Sequence, residues 1–238
     1  MSETLTIPAR YRGPPDSGNG GYVAGRFATF VGNGPVEVTL RAPTPLETAM
    51  DVVRDGDEWR LLHGDKLIAQ ARPAPLDLDV PDLPPMDETV EATARGGSPY
   101  ESDYGKCFVC GKGLAAHLGL NMHPGWLPER QLVSALWRPD AAFAGADGKL
   151  DPAFAWGALD CPGGFAAGNG ISGSTMYLTG RMTGLVEGEV RAGEDYVVTG
   201  WVTARDGRKV TSGTAVSTPD GQVVAKALSL WIEIRSPF

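Results

Sequence analysis

The sequence predicts an α+β fold made of two copies of one unit, each a strand, a helix rich in glycine and alanine, and a curved antiparallel sheet that wraps the helix. Three observations carry this reading. Runs of alternating or β-branched apolar residues are separated by Asp-Gly turns, the pattern of antiparallel hairpins. The hexapeptide Gly20-Gly21-Tyr22-Val23-Ala24-Gly25 recurs as Gly163-Gly164-Phe165-Ala166-Ala167-Gly168. Both copies also sit between one preceding strand-like run and a following meander, and internal repetition of this kind points to a duplicated unit.

In chain order, Glu3 to Ala9 is the strand before the first helix, and Gln131 to Trp137 is its counterpart in the second half. Four runs follow the first helix: Val36 to Arg41, Thr48 to Arg54, Trp59 to Leu62 and Leu67 to Arg72, with Asp55-Gly56 and Gly64-Asp65 as turns. After the second come Tyr196 to Thr203, Lys209 to Ser217 and Gln222 to Ile234, with turns at Asp206-Gly207 and Asp220-Gly221. Small residues allow a helix to lie close to a curved sheet, while Tyr22, Phe27, Phe30 and Phe165 fill the remaining space. Prolines and acidic residues alternate from Ala71 to Pro85, which reads as a linker. The expected units are residues 1–85, the first copy plus this linker, and 86–238, the second copy preceded by a cysteine-containing insertion at about 100–128.

Composition narrows the function classes. The chain has 238 residues, 42% of them hydrophobic and 21% charged, so it can bury a core without disulfides and is neither disordered nor a coiled coil. A formal net charge of -8 argues against nucleic acid or an anionic membrane as the principal partner. No run of about 18 apolar residues is present, and the first residues carry no basic-then-apolar export signal. The expected location is the cytoplasm, in keeping with the odd count of 3 cysteines. A nucleophile elbow of the G-x-S-x-G kind, an H-E-x-x-H helix and a phosphate-binding G-x-x-x-x-G-K-[ST] loop are all missing from the sequence.

Two stretches resemble the double hotdog fold of the acyl-CoA thioesterase superfamily: Ala158-Leu159-Asp160-Cys161-Pro162-Gly163-Gly164, and the paired hairpins within Gly200 to Glu233. The resemblance covers most of the chain outside about Pro73 to Gly125. It implies hydrolysis of an acyl thioester, with coenzyme A as part of the substrate, no separate cofactor, and a place in fatty acid metabolism. In TesB-like members an Asp in an A-S-L-D-H stretch is catalytic, and Ala158-Leu159-Asp160 is similar to it. Asp160 is then the general base on water or the nucleophile. Pro162 suits the first position of a helix, so Asp160 is expected at a helix start where the free amides of Gly163 and Gly164 receive the developing oxyanion. An N-cap role for Asp160 and a packing role for the glycines stand beside this reading.

The family also uses a Thr and a Gln. Ser229 occupies the position aligned with that Gln, and Thr203, Thr211 and Thr214 compete for the other. In the first copy Ser17 replaces Asp160, which predicts one competent site and one degenerate copy. Asn19 is expected to act as a turn or cap residue, ahead of the alternative that it donates a hydrogen bond across the interface between the halves. Arg205, Arg208 and Lys209 form the densest basic patch and are the candidates for the phosphates of coenzyme A, against a plain solvated turn. Loss of catalysis, leaving a hydrophobic-ligand or acyl-thioester binding module, is the competing function; His63, His117 and His123 lie away from the expected helix start, which disfavours a hydratase. An exposed sheet edge would favour a homodimer.

Cys107-Phe108-Val109-Cys110 has the bite of a tetrahedral metal site, with further ligands from a His and Cys161. Free or buried cysteines rank ahead of zinc at this pair, and a redox pair ranks last. The expectation is therefore no bound metal.

Overall fold

The computed structural model describes residues 3–96, 105–169 and 175–235, so the opening residues 100–104 of the expected insertion lie outside the described residues. Among the described residues, eleven strands form a single sheet in the order β1-β3-β4-β5-β2-β8-β11-β10-β9-β7-β6. These are β1 (Glu3–Thr6), β2 (Val36–Leu40), β3 (Ala49–Asp55), β4 (Glu58–His63), β5 (Lys66–Pro73), β6 (Gly125–Leu127), β7 (Leu132–Trp137), β8 (Thr175–Val186), β9 (Tyr196–Asp206), β10 (Lys209–Ser217) and β11 (Val223–Arg235). Every pairing is antiparallel. The expected hairpins are in place: Gly56, Gly64, Gly207 and Gly221 each have positive φ, the conformation that tight turns demand and glycine adopts without strain.

Among the described residues, three α-helices accompany the sheet: α1 (Gly20–Ala28), α2 (Met86–Arg95) and α3 (Pro152–Ala167). Helix α3 packs against β7 to β11, and α1 packs against α3 and the adjoining strands β2 and β8. Strands β2 and β8 pair through Val36–Gly184 and Val38–Met182, which joins the two ends of the chain into one sheet. Strand order is β1-β3-β4-β5-β2 on one side of this seam and β7-β9-β10-β11-β8 on the other, with the short β6 added at the edge.

Helix α3 corrects the expected helix start. It begins eight residues before Asp160, where Asp151 caps the Ala153 amide at 2.8 Å and Pro152 takes the first position. Asp160 therefore belongs to the helix interior, neither at its start nor capping it, and Pro162 sits inside the helix. Strand β9 packs closely on this part of the helix: a Cβ at Gly200 would lie 2.6 Å from the Pro162 carbonyl oxygen. The repeated hexapeptides are also out of step, since Gly20 opens α1 whereas Gly163 and Gly164 lie near the end of α3.

The glycines serve helix-to-helix contact as much as helix-to-sheet contact. A Cβ at Gly21 would lie 2.4 Å from the Trp156 carbonyl oxygen and 2.5 Å from the Asp160 Cβ. At Gly25 it would lie 2.6 Å from the Trp156 Cβ and 2.8 Å from the Ala153 Cα. Gly21 and Gly25, four residues apart, thus form one face on which α3 rests directly. The stretch Ala71 to Pro85 is not a free linker. Its first three residues belong to β5, and Leu76, Leu78 and Val80 pack with Leu127, Leu132 and Trp201.

Gly25→Ala should lower the thermal midpoint, because overpacking against another helix's backbone costs about 1–3 kcal/mol and outweighs the helix-propensity gain of at most about 1 kcal/mol. Gly34, with nothing within 4 Å of its virtual Cβ, provides the contrast: Gly34→Ala should be neutral or slightly stabilising in the same denaturation experiment.

Candidate active site

Asp160 is 4% exposed and faces the N-terminus of α1, the helix of the other half. Thr179 on β8 donates its hydroxyl to Oδ1 at 2.7 Å, and the Asn19 amide donates to Oδ2 at 3.0 Å. The backbone N–H of Gly21 faces the same carboxylate. Asn19 is at once the N-cap of α1, its Oδ1 accepting from the Tyr22 amide at 2.9 Å, so its side chain is fixed from both ends. Burial pushes the Asp160 carboxyl up to about 6, against the opposing pull of the bonds from Thr179, Gly21 and Asn19.

The carboxylate opens onto a cavity of about 730 Å³ between the two halves. Leu40, Met176, Leu178, Trp231, Ile232 and Ile234 supply much of its apolar wall, with the Gly13 to Gly20 loop along one side. Gly20 also lines it, and the N–H of this first helical residue has no acceptor among the described residues. A first-turn amide left free in this way, at the positive end of a helix, is available to an anionic acceptor. Cleft space of about 600 Å³ also exists beside Phe143, Phe154 and Glu189, but Asp160 has no part in it.

The remaining sequence candidates are distributed differently. Gly163 and Gly164 do not offer free amides, because they lie in the body of α3. Their missing side chains make room for Trp231, whose ring atoms would be 2.9 Å and 3.0 Å from the respective Cβ positions. Ser229 is fully buried on β11 opposite Ser212 and Met182, outside the cavity lining. Its Oγ has no partner among the described residues, and the structure gives no account of it. Thr203, Thr211 and Thr214 make no hydrogen bond to Asp160. Thr179 does, and local sequence does not mark it, because two glycines break the alternation of β8 in TMYLTGRMTGLV.

The basic patch is likewise outside the cavity lining. Arg205 donates to the Ala167 carbonyl at the C-terminus of α3 and, at 3.4 Å, to the Tyr177 hydroxyl, which makes it a helix cap. Arg208 and Lys209 are exposed on the hairpin. Arg41, exposed and bonded to Gln70 at 2.7 Å, is the one cation lining the cavity among the described residues.

Cys107 and Cys110 join the cavity wall beside Asp160, together with Cys161. Cys107 is held well below the usual thiol range, chiefly by hydrogen bonds from the Cys110 and Cys161 thiols and also by the Cys110 and Val109 amides. Neither His117 nor His123 belongs to this group: His117 is exposed, and the Nε2 of His123 is buried without a partner among the described residues. Among the described residues no helix is long and apolar enough to cross a membrane.

No family model matches the sequence, and no curated protein matches it. Solved structures do. A TesB protein of Mycobacterium avium subspecies paratuberculosis aligns over 97% of this chain and 91% of its own, with a TM-score of 0.61 at 14% identity. An acyl-CoA thioesterase II, TesB2, of Mycobacterium marinum aligns over 93% of this chain and 92% of its own, with a TM-score of 0.57 at 11% identity. Over nearly its whole length, this chain has the hotdog-like α+β fold of the TesB-like thioesterase structures.

Proposed function

We propose that the chain is a double hotdog acyl-thioester hydrolase, with units 1–85 and 86–238, acting on acyl-CoA. The observation that carries this reading is the buried Asp160 carboxylate, gripped by Thr179 and Asn19 and open to an apolar cavity. The matching strand order on the two sides of the β2–β8 seam supports the duplicated architecture. The names of the structural neighbours support the substrate class.

In this mechanism the acyl chain lies along the apolar wall and the thioester carbonyl meets the Gly20 amide. A carboxylate has about four acceptor positions, and the donors around Asp160 leave one for water. Asp160 takes a proton from that water as its oxygen attacks the carbonyl carbon. The carbon–sulfur bond then breaks, and the proton passes to the departing thiolate, giving a carboxylic acid and a free thiol. Thr179 and Asn19 hold the carboxylate in line. Asn19 provides the side-chain amide that the resemblance assigns to a Gln, and it comes from the first half, so the site needs both halves. Arg41 at the rim is the cation placed to meet a coenzyme A phosphate.

With a panel of acyl-CoAs followed by thiol release, Asp160→Asn should lower kcat by about 10²- to 10⁴-fold, the usual worth of a general base, while a non-hydrolysable acyl-CoA analogue still binds. Binding by the wild-type chain without turnover of any panel member would contradict the hydrolase reading and favour a binding module.

Thr179→Val removes a bond to a charged group worth about 1.5–3 kcal/mol, so kcat should fall roughly 10- to 100-fold with KM little changed. Arg41→Ala should raise KM for acyl-CoA, more so at low salt. Arg205→Ala should lower the thermal midpoint and leave KM unchanged, as expected of a helix cap; a raised KM would restore the basic hairpin as the phosphate site.

A further inference from the structure

Cys161 is distant in sequence from the Cys107–Cys110 pair but joins it in space: the Sγ atoms of Cys107, Cys110 and Cys161 all lie within 4.8 Å of one another, with the first two buried and none in a disulfide. We propose that Cys107, Cys110 and Cys161 bind one zinc ion, whose fourth position opens onto the cavity beside Asp160. This assignment does not rest on the hydrolase reading, because it follows from the sulfur geometry and the loop that supports it.

Three sulfurs at about 2.3 Å from a tetrahedral zinc stand roughly 3.8 Å apart, so the observed cluster needs little contraction to close on the ion. The loop around the first two is shaped as a metal-binding knuckle. The Gly111 amide donates to the Cys107 carbonyl at 2.9 Å and closes the turn. At Gly111 the turn leaves no room for a side chain, since a Cβ would lie 2.6 Å from the carbonyl oxygens of both Cys107 and Gly105.

The knuckle is anchored to the body of the protein. Phe108 donates its amide to the Arg12 carbonyl at 2.8 Å, and the Leu120 and Met122 amides return to Phe108 and Val109 at 2.8 Å and 2.9 Å. The Phe108 ring packs among Tyr11, Tyr22, Phe143 and Phe154. Cys161 is held separately by α3, so its approach to the pair is set by tertiary structure rather than by the loop.

Soft thiolates in a tetrahedral arrangement select zinc over oxygen-loving cations. On binding, the ion takes the place of the protons still carried by the thiols, which pass to solvent. Three protein ligands leave one position open, and Asn19, whose amide nitrogen is 4.0 Å from the Cys107 sulfur, lies beside the cluster. The ion would tie the 105–113 segment to α3 at the residue next to Asp160. His117 and His123 take no part.

The test is metal analysis of the full chain purified with reduced thiols, reconstituted with zinc and desalted. About one tightly held zinc per chain is expected, together with protection of the three thiols from a thiol reagent until a chelator is added. Cobalt in place of zinc should give intense thiolate-to-metal charge-transfer absorption. Cys110→Ser and Cys161→Ser should each abolish stoichiometric binding; if a variant fails to fold, the wild-type cobalt spectrum and thiol protection still decide. No retained zinc and no charge-transfer band would overturn the proposal. So would stoichiometric iron or copper in place of zinc, or a Cys107–Cys110 disulfide that forms while the protein stays folded.

Discussion

The contact between α1 and α3 is the constraint on which the site depends. Helices with ordinary side chains at the crossing stay 8–10 Å apart, whereas Gly21 and Gly25 let the backbone of α1 rest on Ala153, Trp156 and Asp160. Without that approach, the first turn of α1 would not reach a carboxylate on α3. The same glycine face therefore sets both the packing of the two halves and the placement of Asn19 and the Gly20 and Gly21 amides.

A buried carboxylate is costly unless it is well supplied with donors. Here they come from three places in the chain: the residue capping α1, the first turn of α1, and Thr179 on β8. Burial still wins, and the carboxyl is raised to about 6. Such a group is poised to exchange a proton, unlike a fully stabilised surface carboxylate. Its surroundings are apolar on the side of the cavity, which suits an acyl chain better than a charged substrate.

Much of the fold was legible because its signals are local. Asp-Gly turns with positive φ and alternating strands place β2 to β5 and β9 to β11 within a few residues. The start of α3 was misplaced although Asp151-Pro152 carries the same cap and proline chemistry as Asp160-Cys161-Pro162; both fit the rule, and only tertiary packing shows that Pro162 is tolerated inside a helix. Asp160 was identified through its resemblance to a family stretch, and Asn19 through its place before the first helix. Thr179 lay beyond local reading because an unrecognised strand carries it. Arg205 looked like a phosphate ligand because charge density alone cannot show that the end of α3 already engages it. The CxxC pair was visible in sequence, but the arrival of Cys161 beside it is a consequence of how α3 lies.

The central claim is that Asn19 from one half and Asp160 from the other act as one catalytic unit. A double-mutant cycle on kcat tests it most directly, comparing Asn19→Ala, Asp160→Asn and the double variant against wild type. If the two work through the shared hydrogen bond, the double variant should be no slower than Asp160→Asn alone. Losses that simply multiply would show the residues acting independently and would contradict the account.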